Sequence, residues 1–346
     1  MASMDVKLSH GAGAKEMWEF IQKYIVSKVP RNLWKTVNGY GLDVLDDGAV
    51  IKIGDNYIVI SIDSYTVNPI FFKGGNIGEL AVSGTLNDLV MMGAKPIAFM
   101  DTIVVEEGFP TKDLEIIIES MVKILREEGI PLIGGDFKVM PKGSIDRVVI
   151  TGVGIGLASK PIIDVMINEN DAIIVTGPIA EHGAVIMAHQ LGMENEIKDL
   201  QSDTKPLTRT VLPVIEKFKE YIHAARDPTR GGLAATLYEW VSESDLTIII
   251  DRNKIPIRDS VRYFLDALGI DPLNMASEGI GVLAVESNIA DDIVEELRKV
   301  GENHAVIIGR VIKVNNPLLR GKVIAITEVG GKVIVEPRSV NLPRIC

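Results

Sequence analysis

Leu114, Ile117, Ile118, Met121, Val122 and Leu125 are spaced by threes and fours, a stripe that predicts an amphipathic helix over 112–128. Met17, Phe20, Ile21, Tyr24 and Ile25 repeat the pattern after Lys15. The helix predicted over 76–92 is apolar and small except for Asn87-Asp88, and polar residues on such a face must reach solvent or find partners. Strands are predicted at 57–63, where alternation ends on Asp63, at 96–105, at 131–133 running into Gly134-Gly135-Asp136-Phe137-Lys138, and at 146–156. The pattern resets over 158–169.

After that reset a strand is expected at 172–175, a helix at 181–191, a polar loop at 190–205 and a helix at 208–220. A charged glycine turn at 223–232 leads into a helix at 233–243. Next come a strand at 246–250, a helix at 257–268, a loop at 276–281, a strand at 282–285 and a helix at 291–300. Strands near 305–314, 322–327 and 332–335 finish the pattern. Strands outnumber what a βαβ alternation gives, so the class is α+β, in layers. Two domains are expected, 1–160 and 161–335, followed by a flexible polar tail, 336–346.

The 346 residues carry a net charge of −11, which argues against nucleic acid as the main partner. No apolar run reaches the roughly 18 residues of a membrane span, and 1–5 lack the features of a signal peptide, so a soluble cytoplasmic protein is expected. One cysteine excludes an intrachain disulfide framework and a cysteine-rich metal site. That cysteine, Cys346, is the final residue, behind a stretch bounded by Pro337 and Pro343. Ten residues of leash reach roughly 33–36 Å when extended.

Candidate chemistry lies in carboxylates at strand ends or glycine turns: Asp46, Asp47, Asp63, Asp88, Asp136 and Asp227. Gathered together, they suit several Mg²⁺ ions holding a triphosphate. Neither a P-loop nor a dinucleotide fingerprint is present. Gly11-Ala12-Gly13 before the first helix either admits an anion at its N-terminus or is a plain flexible arm. Glu278, flanked by Gly279 in the 276–281 loop, is placed like an active-site carboxylate. His182 and His189 share a helix face two turns apart with no third ligand, so no metal site is expected there. The residues alone indicate an ATP-dependent enzyme without a P-loop.

In their order, these motifs resemble the AIR synthase-related (PurM-like) superfamily. The matching stretches are Ser9-His10-Gly11-Ala12-Gly13, Asp46-Asp47-Gly48-Ala49, Ile62-Asp63-Ser64, residues 84–94 around Asn87-Asp88, Gly134-Gly135-Asp136-Phe137-Lys138, Arg226-Asp227-Pro228-Thr229-Arg230-Gly231-Gly232 and Ala276-Ser277-Glu278-Gly279. The tail Pro343-Arg344-Ile345-Cys346 is similar to that of the family's hydrogenase expression/formation branch. Ala14, where a further glycine is often found, is a minor departure.

The resemblance implies a two-domain PurM-like fold: an N-terminal mixed-sheet domain that forms a homodimer, and a C-terminal α/β layered domain. ATP would lie in the groove between subunits. The implied role is making the cyanide ligands of the [NiFe]-hydrogenase iron. A carbamoyltransferase, HypF, would load a carboxamide onto the sulfur of Cys346, dehydration would give a thiocyanate, and a HypC–HypD complex would receive it. Asp46, Asp63, Asp88, Asp136 and Asp227 are the implied Mg²⁺ holders. His10, Gly11, Gly13, Asp47, Asn87, Gly134, Gly135 and Asp227 are the implied ATP contacts, with Asn87 on phosphate or metal. Glu278 is the candidate general base, Lys138 would orient the amide or stabilise phosphoryl charge, and Cys346 carries the substrate. A small-molecule kinase or cyclo-ligase of the same superfamily, and a non-enzymatic cyanide carrier, remain alternatives.

Overall fold

The computed structural model describes residues 5–11, 13, 15–195, 199–338 and 345–346. Helix α1 (Lys15–Tyr24) precedes the first sheet. That sheet is built from β1 (Ala49–Ile53), β2 (Asn56–Tyr65), β5 (Lys95–Glu106), β6 (Leu132–Met140) and β7 (Val148–Ala158), in the order β1-β2-β7-β5-β6. A small hairpin, β3 (Phe71–Phe72) with β4 (Gly75–Asn76), leads into α2 (Ile77–Met91), and α3 (Thr111–Glu128) joins β5 to its parallel neighbour β6. The remaining pairs are antiparallel, so the sheet is mixed.

The stripe along α3 lies on Ile117, Met121, Ile124 and Leu125, buried with Leu80, Phe99 and Ile150. Gly129, at φ 69°, closes that helix in the left-handed conformation that costs glycine least. Helix α2 has no polar face because it has no solvent face: it lies between the first sheet and the second domain, touching β2 and β7 on one side and α5 and β9 on the other. Asn76 caps it, accepting from Gly78 N at 2.8 Å and Glu79 N at 3.3 Å. Helices α2 and α3 cover one face of the sheet. The opposite face presents Ile62 and Leu157 to the surface.

The second domain is a seven-stranded sheet in the order β14-β13-β10-β12-β8-β11-β9. Its strands are β8 (Ala172–Val175), β9 (Ile222–Arg226), β10 (Leu246–Asp251), β11 (Val282–Val285), β12 (Val306–Lys313), β13 (Lys322–Ile326) and β14 (Lys332–Val335). Helices α4 (Glu181–Gln190), α6 (Gly232–Val241) and α7 (Asp259–Ala267) pack one face, and α5 (Val211–Phe218) and α8 (Ala290–Lys299) the other. This explains the unbroken apolar run of β8: Ile173 and Val175 enter one core, Ala172 and Ile174 the other. Two domains of mixed strands and helices bear out the α+β expectation. Among the described residues, no helix is long and apolar enough to cross a membrane.

Two strands run further than their patterns suggest. Strand β2 continues to Tyr65, and β6 continues through the Gly-Gly pair to Met140 because each residue pairs with β5. Asp63 and Asp136 therefore lie within strands, not at their ends. At Gly135 a Cβ would stand 2.9 Å from the main-chain oxygen of Asp101 and 2.3 Å from its Oδ1, so the pairing favours glycine.

Candidate active site

Three carboxylates from three elements converge between the domains. Asp47 is on the turn before β1, Asp88 on α2, and Asp227 immediately after β9. Each offers an oxygen within 4.8 Å of the others. Burial holds Asp47 and Asp88 well above the usual carboxylate range; Arg226 draws Asp47 down, and neighbouring carboxylates push both further up. Burial and the charge of Asp63 push Asp227 up to about 7. Asp47 Oδ2 and Asp227 Oδ2 have no hydrogen-bond partner. Hard, buried, mutually repelling oxygens with unused lone pairs fit a divalent cation such as Mg²⁺. Asp88 accepts a hydrogen bond from Ser61 Oγ, which fixes its orientation.

Asp46 faces away from this trio. It accepts from Asp47 N and Asp164 N, both at 2.9 Å, and lies 3.7 Å from Arg226 Nη2. Arg226 Nε stands 3.0 Å from Asp47 and 2.9 Å from Asp164, and its guanidinium also pairs with Glu239. Arg226 is thus the counter-charge behind the cluster. Asp164, pushed up to about 8 by burial, escaped the sequence reading because it lies in the stretch taken as a domain boundary. Asp63 points to the helix-covered side of β2, 3.9 Å from Arg230 Nη2.

The N-terminal segment reaches the same place. Gly11 O accepts from Arg230 Nη1 at 3.4 Å. Gly13 packs against the Arg230-Gly231 turn so closely that a Cβ on Gly231 (φ +84°) would meet Gly13 O at 2.1 Å. His10 stacks on Phe20 with centroids 4.4 Å apart. Ala12 and Ala14 lie outside the described residues.

Asn87 is fully buried, and its amide is already committed. Nδ2 donates to Lys205 O and Glu278 O at 3.1 Å, and Oδ1 accepts from Leu207 N at 2.8 Å. It fastens α2 to the second domain, which differs from the phosphate or metal contact expected of it. Gly134, Gly135, Asp136 and Lys138 are not brought to the trio within one chain. Asp136 and Lys138 pair with each other at 2.5 Å on the exposed edge strand β6. The register Ser64, Thr151, Thr102, Asp136 sets them three strands, or roughly 14 Å, from β2, on the face opposite α2.

Glu278 is 1% exposed and neither carboxylate oxygen has a partner. Burial, reinforced by Asp227, Asp203 and Asp63, raises its pKa well above the usual range. Its loop is held by Asp203, which sequence reasoning missed. Asp203 Oδ2 accepts from Glu278 N and Gly279 N, both at 3.1 Å.

Residues 339–344 of the tail lie outside the described residues, but its end does not. Ile345 and Cys346 pack against the first domain's core. The Cys346 thiol is raised by burial, drawn down by Arg230, and raised again by Glu278, Asp63 and Asp227. The substrate-carrying candidate therefore ends within electrostatic reach of the base candidate, of Arg230 and of Asp227, one member of the carboxylate trio.

Residues 45–158 match the family AIR synthase related protein, N-terminal domain, and residues 168–321 match its C-terminal domain. The carbamoyl dehydratase HypE of Rhizobium leguminosarum bv. viciae is 37% identical over 352 residues, covering 100% of this chain and 96% of that protein. The crystal structure of hydrogenase maturation protein HypE in complex with ATP superposes with a TM-score of 0.79 at 34% identity, covering 99% of this chain and 100% of that one. A chain of the HypE–HypF complex gives 0.81 at 33% identity, covering 92% and 99%.

Proposed function

Since the chain belongs to the AIR synthase related family, in the HypE branch of hydrogenase expression/formation proteins, we propose that it is an ATP-dependent carbamoyl dehydratase acting on a carboxamide carried by the sulfur of its own Cys346. The observation that carries this proposal is that Cys346 packs on the first domain's core within electrostatic reach of Arg230, Glu278, Asp63 and Asp227, the last a member of the Asp47–Asp88–Asp227 trio.

Dehydrating S–C(=O)–NH₂ directly would expel oxide or hydroxide, which are poor leaving groups. Transfer of the γ-phosphoryl of ATP to the carbonyl oxygen turns that oxygen into part of a phosphate. Loss of both N–H protons and of the C–O bond then gives S–C≡N, ADP and inorganic phosphate. The product thiocyanate is the cyanide donor for the hydrogenase iron. Glu278 suits the proton-accepting role because burial without a hydrogen bond makes its carboxylate a stronger base. Arg230 sits where negative charge gathers at the sulfur end. Asp47, Asp88 and Asp227 would hold Mg²⁺, with Asp63 beside them, and bound metal would neutralise the phosphates. The His10–Gly13 segment, lying on Arg230-Gly231, is placed to close over the nucleotide.

The uncovered sheet face, with Ile62 and Leu157 at its surface, supports a homodimer. A second subunit laid on that face would bring its own Asp136 and Lys138 toward the nucleotide groove, which gives these residues a role they lack within one chain. HypF as the loading partner is supported by the relative solved with it, and HypC–HypD as the acceptor follows from the product. Because it consumes ATP, the reaction belongs in the cytoplasm.

The test is the intact mass of the chain, carbamoylated on its single thiol, before and after Mg-ATP. Loss of one water from the C-terminal peptide is expected. ATP turnover without that loss, or conversion of a soluble carboxamide after removal of Cys346, would instead favour a small-molecule enzyme. No ATP consumption at all would favour a plain carrier.

A further inference from the structure

The C-terminal dipeptide is held by its main chain. His182 Nε2 lies 2.8 Å from Ile345 O, and Thr66 Oγ1 donates to Cys346 O at 3.2 Å. His182 is fully buried at the start of α4. A carbonyl oxygen can only accept, so Nε2 carries the proton. The other ring nitrogen, 2.8 Å from Ser202 Oγ, then accepts from that hydroxyl. Burial pushes the imidazole down to about 4, which keeps it neutral and in that tautomer near pH 7. The ring also meets Phe72 edge-on, with centroids 5.2 Å apart.

One carboxylate links this contact to Glu278. Asp203 Oδ1 accepts from His182 N at 3.1 Å, while Oδ2 accepts from Glu278 N and Gly279 N. The residue that grips the tail and the loop that carries the candidate base are thus tied to the same side chain. Neither tail contact uses the Cys346 sulfur.

We propose that His182 and Thr66 form a latch that seats the last two residues by main-chain oxygens, the Ile345 carbonyl and a terminal carboxylate oxygen of Cys346, with Asp203 holding the latch in register with Glu278. Because the grip is on the main chain, the tail docks in the same way with a free thiol or with a small acyl group on sulfur. The latch deepens the dehydratase reading and rests on it for the role of Glu278. The grip itself does not depend on any ATP chemistry.

The experiment is maleimide labelling of Cys346, the only thiol in the chain, in the full-length protein without nucleotide. His182→Ala is expected to speed labelling about five- to tenfold, and Thr66→Val several-fold, as for loss of one hydrogen bond. His182→Gln, which keeps an N–H donor, should stay within about twofold of the parent. Unchanged labelling in both His182→Ala and Thr66→Val would overturn the latch, and so would labelling of His182→Gln as fast as that of His182→Ala. Amide exchange of the C-terminal peptide, compared before and after S-carbamoylation, tests the sulfur independence. Equal protection supports it, and loss of protection on carbamoylation overturns it. If labelling responds as expected but no water is lost with Mg-ATP, the latch stands and the dehydratase reading fails.

Discussion

Asp203 and Glu278 are joined carboxylate to main chain: Asp203 Oδ2 accepts the N–H of Glu278 at 3.1 Å, and that of Gly279 at the same distance. The backbone of Glu278 is thereby fixed while its carboxylate oxygens are left without partners. A side chain held this way is well placed in position and kept basic by its surroundings, two conditions a general base needs. Glu278→Gln keeps the shape and removes the base. Water loss from the carbamoylated tail should fall about 10²- to 10⁴-fold, as read by intact mass. The melting temperature should not drop, because a buried carboxylate without a partner is itself unfavourable. An unchanged rate would remove Glu278 from the base role.

Asp203→Ala leaves three buried N–H donors, on His182, Glu278 and Gly279, without their acceptor. Each orphaned donor costs about 1–3 kcal/mol. Allowing for relaxation, a loss of about 3 kcal/mol in denaturant-measured stability is expected, together with a slower dehydration. A loss below about 1 kcal/mol would mean the carboxylate is not the structural hub described above.

The trio Asp47, Asp88 and Asp227 makes stability depend on pH and metal together. Asp227 has a folded pKa of about 7 against 3.8 unperturbed. The folded state therefore holds more protons than the unfolded state between those values. By linkage, metal-free stability falls as pH rises from about 4 to about 7. The fall should be shallower in Asp227→Asn. Added Mg²⁺ should raise the melting temperature at pH 8 and do little at pH 5, where protons compete for the same oxygens. Equal slopes in the two proteins, or a Mg²⁺ effect independent of pH, would count against the site.

Asp136 and Lys138 are on the outer face of an edge strand, three strands from β2 in the same chain. If Lys138 acts across a dimer, two defective chains complement. Mixing Lys138→Ala chains, which keep the substrate thiol, with Cys346→Ser chains, which keep the lysine, should restore water loss on the former. No recovery in verified mixed dimers would place Lys138 in cis or outside the reaction. Ile62→Lys, on the uncovered sheet face, should give monomers in sedimentation and abolish the recovery.

Periodicity made α3 legible because one of its faces meets the core and the other meets water. It described α2 only as apolar because that helix is enclosed from both domains, and the partners of Asn87 lie more than a hundred residues away in the chain. Alternation places the ends of β2 and β6 too early for a related reason: pairing with a neighbouring strand carries them past the point where hydrophobic alternation stops. Asp203 offered no local signal, standing in a polar loop like many others. The spacing of His182 and His189 speaks only to a metal site, whereas His182 holds the backbone of a residue 163 positions away.

By itself the sequence determined the layered α+β class, the family, the set of acidic motifs and the singular position of Cys346, since these depend on local pattern and residue identity. Only the tertiary structure decided which carboxylates meet. It gathered Asp47, Asp88 and Asp227, turned Asp46 toward Arg226, and left Asp136 on a distant face, because convergence depends on strand order and register, which no single stretch encodes. It also brought Cys346 within electrostatic reach of Glu278. The seat of the tail needs Thr66, His182 and the Ser202-Asp203 loop, which are far apart in the chain, and folding alone brings them together.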